Sequence, residues 1–71
     1  MAAMRPVIEM DVDTFALNAD YNSDMYRYIQ TIPKKHKYYD VDKRRWEFDN
    51  EFVDEVVEKI AQFYGQAPEI L

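Results

Sequence analysis

The chain has 71 residues, 48% of them hydrophobic and 32% charged, and its formal net charge is −5. One small domain of modest stability fits this length, because such a chain buries only about 60% of the surface that its unfolded form exposes. The absence of cysteine and the single histidine, His36, exclude a disulfide framework, a thiolate metal site and a histidine cluster. No apolar run approaches the about 20 residues that a membrane span needs. The first residues also lack the apolar core of a signal peptide, so we expect an intracellular protein, cytoplasmic or nucleoid-associated.

The first predicted element is a strand over residues 7–18. Apolar and acidic residues alternate from Ile8 to Asp13, which is the period of two that a strand with one apolar face shows. Farther along, the apolar parity shifts from even to odd positions, so we expect a bend or bulge there. An amphipathic helix is the weaker alternative for this segment, and residues 1–5 before it are expected to be flexible.

A short helix is predicted over residues 23–32. Asn22 and Ser23 are favourable N-cap residues, and apolar side chains follow them at helical spacing. Pro33 ends this helix, because the residue before a proline avoids the α region.

A β-hairpin is predicted next, because aromatic and basic residues flank a short polar stretch. Asp40 and Asp42 in that stretch are interpreted as turn-forming residues rather than as catalytic or metal-binding carboxylates. Trp46 and Phe48 share a parity in the second strand, so both are expected to face the core.

A second helix is predicted from about residue 50, with Asp49 or Asn50 as its cap and a broad apolar stripe along it. Gly65 fits the left-handed position that ends a helix. Residues 66–71 are expected to form a flexible tail or a strap across the surface.

These elements follow the order β-α-β-β-α and predict a single α+β domain over residues 1–71, with an ordered core over residues 7–65. The expected architecture is a small three-stranded sheet with two helices packed on one face.

Charge is unevenly distributed along the chain. Residues 27–45 carry a net charge of +5, whereas residues 1–26 carry −4 and residues 46–71 carry −6. The two basic groups of the hairpin are expected to come together at one end of the sheet, where they would bind single-stranded nucleic acid or a phosphate-bearing partner. The predicted nucleic-acid-binding residues are Lys34, Lys35, Lys37, Lys43, Arg44 and Arg45. A solvated loop is the alternative interpretation.

The aromatic residues of the hairpin supply candidate stacking surfaces. Tyr38 and Tyr39 must point to opposite faces of a regular strand, so one is expected in the core and the other on the open face, where it would stack on a base. Trp46 is interpreted as a core anchor rather than as a stacking platform, and His36 as a surface residue.

The acidic face of the second helix is the alternative site, either solvated or docked on a basic protein partner. The predicted protein-interface residues are Glu51, Asp54, Glu55 and Glu58. The chain also has six tyrosines, a residue type enriched at interfaces, which favours an interaction module or a homodimer over an enzyme.

The middle and C-terminal parts of the chain resemble the HARP domain, the DNA-binding accessory module of annealing helicases. The matching pieces are Ile32-Pro33, Tyr39-Asp40, Lys43, Trp46, Phe48 and the helix from Asn50, within residues 15–64. The resemblance implies a module that binds structured or forked DNA beside an ATPase motor. The chain has one glycine and therefore no phosphate-binding loop of such a motor. It also carries Lys34-Lys35 where family members often have glycine or another small residue.

The sequence therefore predicts a small non-enzymatic binding module, without cofactor or metal, that associates with single-stranded or forked nucleic acid through its basic hairpin. The alternative is an acidic protein-interaction or inhibitor module of the kind common among phage and mobile-element proteins. An enzyme is not expected, because the chain shows no nucleophile with a nearby base, no metal-ligand cluster and no phosphate loop.

Overall fold

The computed structural model describes residues 5–71, which form two α-helices and one five-stranded mixed sheet. The strands are β1 (Val7–Met10), β2 (Thr14–Asn18), β3 (Lys37–Asp40), β4 (Arg45–Asp49) and β5 (Glu69–Ile70), and the helices are α1 (Ser23–Ile29) and α2 (Val53–Tyr64). The α+β class is confirmed. The sheet has five strands rather than the predicted three, in the spatial order β3-β4-β2-β1-β5.

The element order is β-β-α-β-β-α-β rather than β-α-β-β-α. Of the segment predicted to be flexible at the start of the chain, residues 1–4 lie outside the described residues. Within residues 5–71, neither helix has the length and hydropathy to span a membrane.

The segment over residues 7–18 is a hairpin of β1 and β2, so the prediction of one continuous strand is wrong. The backbone N–H of Asp11 donates to the carbonyl of Thr14 at 2.8 Å and closes the turn. Met10 pairs with Phe15, and Ile8 pairs with Leu17. The turn reverses the chain, so even-numbered residues of β1 and odd-numbered residues of β2 face the same side. This reversal is the physical reason for the parity shift.

The core lies on the face of the sheet against which both helices pack. Its buried side chains are Ile8, Phe15, Leu17, Met25, Ile29, Ile32, Phe48, Val56 and Ile60. Phe15 and Phe48 pair across β2 and β4, with ring centroids 5.3 Å apart. The predicted core position of Phe48 is confirmed by its exposure of 1%. Trp46 is only partly buried and packs against the border of the core.

Helix α1 begins at the predicted cap, because the side-chain oxygen of Asn22 accepts the backbone N–H of Met25 at 3.0 Å. The helix ends at Ile29, three residues before the predicted end. The N–H of Ile32 donates to the carbonyl of Ile29 at 3.1 Å, so the chain tightens into a turn before Pro33.

Helix α2 begins without the predicted side-chain cap. A 3₁₀ turn over Asn50–Phe52 precedes it, and the Asp49 side chain caps no backbone N–H. At the other end Gly65 adopts a φ of 74°, and its N–H donates to the carbonyl of Ala61 at 3.1 Å. The prediction of a left-handed glycine at the end of this helix is confirmed.

The C-terminal segment contains a strand rather than a flexible tail. Strand β5 runs parallel to β1 at the edge of the sheet. The N–H of Glu69 donates to the carbonyl of Pro6 at 2.9 Å, and the N–H of Leu71 donates to the carbonyl of Ile8 at 2.8 Å. Pro68 is buried just before the strand, so this segment is anchored by its backbone and by one apolar ring.

Candidate functional site

An aromatic cleft with a volume of about 230 Å³ lies between α1 with its preceding loop and the β3–β4 hairpin. Its aromatic lining residues are Tyr21, Tyr26, Tyr39, Trp46 and Tyr64. Arg44, Arg45 and Asp20 are its charged lining residues. The cleft therefore combines flat apolar surfaces with both signs of charge.

One wall of the aromatic cleft is built by the hairpin. Tyr39 and Trp46 are paired across β3 and β4, and their rings meet edge to face with centroids 5.3 Å apart. Trp46 in turn stacks on Phe48, with centroids 6.4 Å apart. Because Phe48 belongs to the core, this wall has a rigid support.

The opposite wall carries Tyr21, from the loop before α1, and Tyr26, from the helix itself. The two residues are 78% and 47% exposed, and their ring centroids lie 6.1 Å apart. Both belong to the six tyrosines of the chain, but neither was predicted as a site residue. Exposed aromatic rings on both walls offer surfaces on which a flat ligand can stack.

Tyr64 contributes a hydrogen-bonded phenol to the aromatic cleft. Its hydroxyl donates to the backbone carbonyl of Asp20 at 2.6 Å. Burial and the nearby Asp20 carboxylate raise the pKa of Tyr64, so the phenol stays neutral and keeps its donor role at physiological pH.

Two of the predicted phosphate-binding residues, Lys43 and Arg44, lie in the turn of the β3–β4 hairpin. The Asp40 side chain accepts the backbone N–H of Lys43 at 3.0 Å, and this bond lowers the pKa of Asp40. Asp40 is thus a turn-forming residue, as predicted. Arg44 has a φ of 55° and lines the aromatic cleft. Both cations are exposed, and within residues 5–71 neither forms an ion pair.

Arg45 differs from its two neighbours, because it is held by carboxylates on the helix-free face of the sheet. It forms an ion pair with Glu9, and its Nε lies 3.6 Å from Oε2 of Glu47. Its side chain is only 17% exposed. Asn18 also donates to Glu9 at 2.9 Å, and the Tyr38 hydroxyl donates to Glu47. Arg45 therefore offers a phosphate far less charge than the sequence alone indicates.

Tyr38 and Tyr39 do not divide between core and surface as predicted. They are 56% and 45% exposed, so neither belongs to the core. The hydrogen bond from Tyr38 to Glu47 raises the pKa of Tyr38. Tyr39, on the helix-covered side, lines the aromatic cleft and is the better placed of the two for stacking.

The remaining basic residues lie at the other end of the hairpin. Lys37 pairs with Phe48, whereas Asp40 pairs with Arg45 at the turn. The length of β3, about 10 Å between these positions, separates Lys34 and Lys35 from the turn. The expectation that the two basic groups come together at one end of the sheet is therefore wrong.

Lys37 itself has a structural role. Its Nζ donates to the carbonyl of Ile29 at 2.7 Å and lies 5.6 Å from the centroid of the Trp46 ring. Burial, together with the charge of Lys34, lowers the pKa of Lys37. A cation at the last carbonyls of α1 is favourable for the helix, so this side chain serves the fold.

Two of the four carboxylates of the predicted acidic interface contact other side chains of the protein. Glu55 accepts a hydrogen bond from the Tyr28 hydroxyl at 2.6 Å. Glu51 lies 3.1 Å from Nδ1 of His36. Asp54 and Glu58 are exposed on the helix and remain available to a basic partner.

Three tyrosines make the stability of the fold depend on pH in the alkaline range. Burial and the hydrogen bond to Glu55 raise the pKa of Tyr28, and the pKa values of Tyr38 and Tyr64 are raised as well. A pKa raised in the folded state contributes stability that is complete below the unfolded value of about 10 and is lost as pH rises through the folded value. The lowered pKa of Lys37 has the opposite effect, because it makes stability rise with pH. It is one group, whereas three tyrosines make stability fall.

We therefore expect the thermal unfolding midpoint to fall as the pH rises above about 10. Replacing Tyr28 with Phe should flatten this decline, because one phenol with a raised pKa is removed. Thermal unfolding followed by circular dichroism across the alkaline range measures the effect. Parallel declines for the Tyr28→Phe variant and the original chain would contradict the role assigned to Tyr28.

No protein-family model matches this chain, and neither a curated protein nor a solved structure does. The resemblance to HARP domains therefore stays a prediction.

Proposed function

We propose that this protein is a small non-enzymatic module that binds single-stranded or forked nucleic acid. Bases stack in the aromatic cleft, and the phosphates beside them contact Lys43 and Arg44. The observation that carries the proposal is the position of Arg44, an exposed cation that lines a cleft walled by exposed aromatic rings. Stacking surfaces beside cations are the combination that single-strand-binding proteins use.

Unpaired strands are the preferred ligand because the stacking contribution requires a free base face. In a duplex both faces of each base are covered by its neighbours, whereas a single strand or the arms of a fork expose them. The resemblance of the hairpin to HARP domains points to the same class of DNA. Duplex DNA is expected to bind more weakly than either form.

The charge of the protein limits the affinity. The net charge of −5 opposes long-range attraction to nucleic acid, and the site adds two cations at the turn. Two phosphate contacts give a slope of about −1.4 in a plot of log affinity against log salt for single strands. We expect micromolar or weaker binding that falls with salt.

Fluorescence anisotropy with labelled single-stranded, forked and duplex DNA, at low and at physiological salt, tests the proposal. Tyr39→Ser should weaken binding by about 5- to 150-fold, because one stacked base contributes about 1–3 kcal/mol. Tyr39→Phe, which keeps the ring, should bind nearly as well as the original chain. Circular dichroism of each variant checks that it is folded.

A matched pair of charge variants locates the phosphate contacts. Lys43→Gln with Arg44→Asn removes the two cations at the turn, and asparagine tolerates the left-handed backbone of Arg44. Lys34→Gln with Lys35→Gln makes the same charge change at the other end of the hairpin. Only the first pair should reduce the salt slope and the affinity.

Equal losses for the two pairs would contradict the proposed site, because they would show binding to diffuse charge. Absence of binding to any DNA at low salt would overturn the proposed function. That result would favour the acidic protein-interaction module, for which Asp54 and Glu58 supply exposed carboxylates.

A further inference from the structure

Three potential metal ligands meet beside the start of β3, at the end of the hairpin far from its turn. Nδ1 of His36 lies 2.7 Å from Oδ2 of Asp49 and 3.1 Å from Oε1 of Glu51. The three ligand atoms all lie within 4.8 Å of one another. We propose that His36, Asp49 and Glu51 bind one divalent transition-metal ion of the Zn²⁺ type.

The pairing of β3 with β4 brings these residues together. Because Lys37 pairs with Phe48 in the antiparallel ladder, the next positions outward are His36 and Asp49. The 3₁₀ turn over Asn50–Phe52 then places the Glu51 carboxylate beside the His36 ring. The site therefore follows from the register of the hairpin.

Contacts outside the cluster hold the ligand-bearing backbone in place. The N–H of Asn50, between the two carboxylate residues, donates to the carbonyl of Asp13 at 3.0 Å, and its side-chain amide donates to the carbonyl of Val12 at 3.1 Å. The His36 ring packs against Phe52, with centroids 5.3 Å apart. Such support reduces the ordering that an ion must impose when it binds.

The distances are close to those of a metal centre. Two ligands that each lie about 2.1 Å from one ion are separated by about 3.0–3.5 Å. The separation of His36 from Glu51 is already in this range, and that of His36 from Asp49 must open by a few tenths of an ångström. Small side-chain rotations suffice, because both carboxylates are partly exposed.

The donor set selects the class of ion. One imidazole nitrogen with two carboxylates suits Zn²⁺, Mn²⁺ and related ions, whereas Mg²⁺ and Ca²⁺ prefer oxygen ligands throughout. A single N–H at Nδ1 of His36 can satisfy only one of the two carboxylates that converge on it. A divalent cation satisfies both, and water completes its coordination on the exposed side.

Isothermal titration calorimetry of the chelator-treated full chain with Zn²⁺ tests this proposal. We expect one ion per chain and a higher thermal unfolding midpoint with Zn²⁺ present. Glu51→Gln should weaken Zn²⁺ binding by at least about tenfold and leaves the hydrogen bond between His36 and Asp49 in place. Glu58→Gln, the same change on the exposed face of α2, should leave the affinity unchanged.

Mn²⁺ supplies a second readout that does not depend on stability. As a paramagnetic ion it should selectively broaden the nuclear magnetic resonance signals of His36, Asp49 and Glu51. The proposal is overturned by an absence of Zn²⁺ binding, by equal affinities of the Glu51→Gln and Glu58→Gln variants, or by broadening confined to other carboxylates. None of these outcomes bears on the aromatic cleft, so the two proposals stand or fall separately.

Discussion

Phe48→Ala is expected to remove most of the stability of this domain. Replacing a buried phenylalanine with alanine costs about 3–5 kcal/mol, and a domain of this length has only about 4–10 kcal/mol in total. Phe48 is 1% exposed and contacts both Phe15 and Trp46. Urea denaturation followed by circular dichroism and by the fluorescence of Trp46, the single tryptophan, measures the loss.

Val12→Ala is the matched control for this substitution. Val12 lies in the turn between β1 and β2 and is 85% exposed, so this truncation should change the free energy of unfolding by less than about 0.5 kcal/mol. Similar denaturation midpoints for the Phe48→Ala and Val12→Ala variants would contradict the packing of β4 against the helices.

Deletion of residues 66–71 is expected to cost about 2–4 kcal/mol. The deletion removes at least three backbone hydrogen bonds to β1 and its flanks, each contributing about 1 kcal/mol. It also removes the buried ring of Pro68 and uncovers one edge of Ile8, which is fully buried in the intact chain. Urea denaturation should show a lower midpoint for the shortened chain.

Ile70→Ala separates the contribution of the backbone of β5 from that of its side chains. Ile70 is 55% exposed, and alanine keeps every backbone hydrogen bond of the strand. This variant should therefore lose much less stability than the deletion. A deletion without effect on the midpoint would show that β5 does not pair with β1 in solution.

Features that depend on near neighbours were predictable. The cap at Asn22 and the left-handed Gly65 act within one helical turn, so their residue types were sufficient signals. The β3–β4 hairpin was predictable for the same reason, because its turn and its aromatic strands are adjacent in the chain.

Features that depend on distant partners were not predictable in this way. Strand β5 contains only Glu69 and Ile70, and it forms only through hydrogen bonds to residues about 60 positions earlier. The proximity of His36, Asp49 and Glu51 was not predictable for a similar reason. The sequence shows one histidine and no cysteine, whereas the fold places two carboxylates, Asp49 and Glu51, beside His36.

The difference between local and distant interactions also separates the candidate nucleic-acid-binding residues. Arg44 and Arg45 are neighbours of identical type, and both line the aromatic cleft. Arg44 is exposed and forms no ion pair within residues 5–71, whereas Arg45 is paired with Glu9 across β2. The two helices, the β3–β4 hairpin and the positive charge of residues 27–45 follow from the sequence alone, because they depend on local composition and spacing. Which cations are engaged depends on the tertiary structure, because the fold brings Arg45 to Glu9, 36 positions earlier in the chain, and Lys37 to the carbonyl of Ile29 at the end of α1.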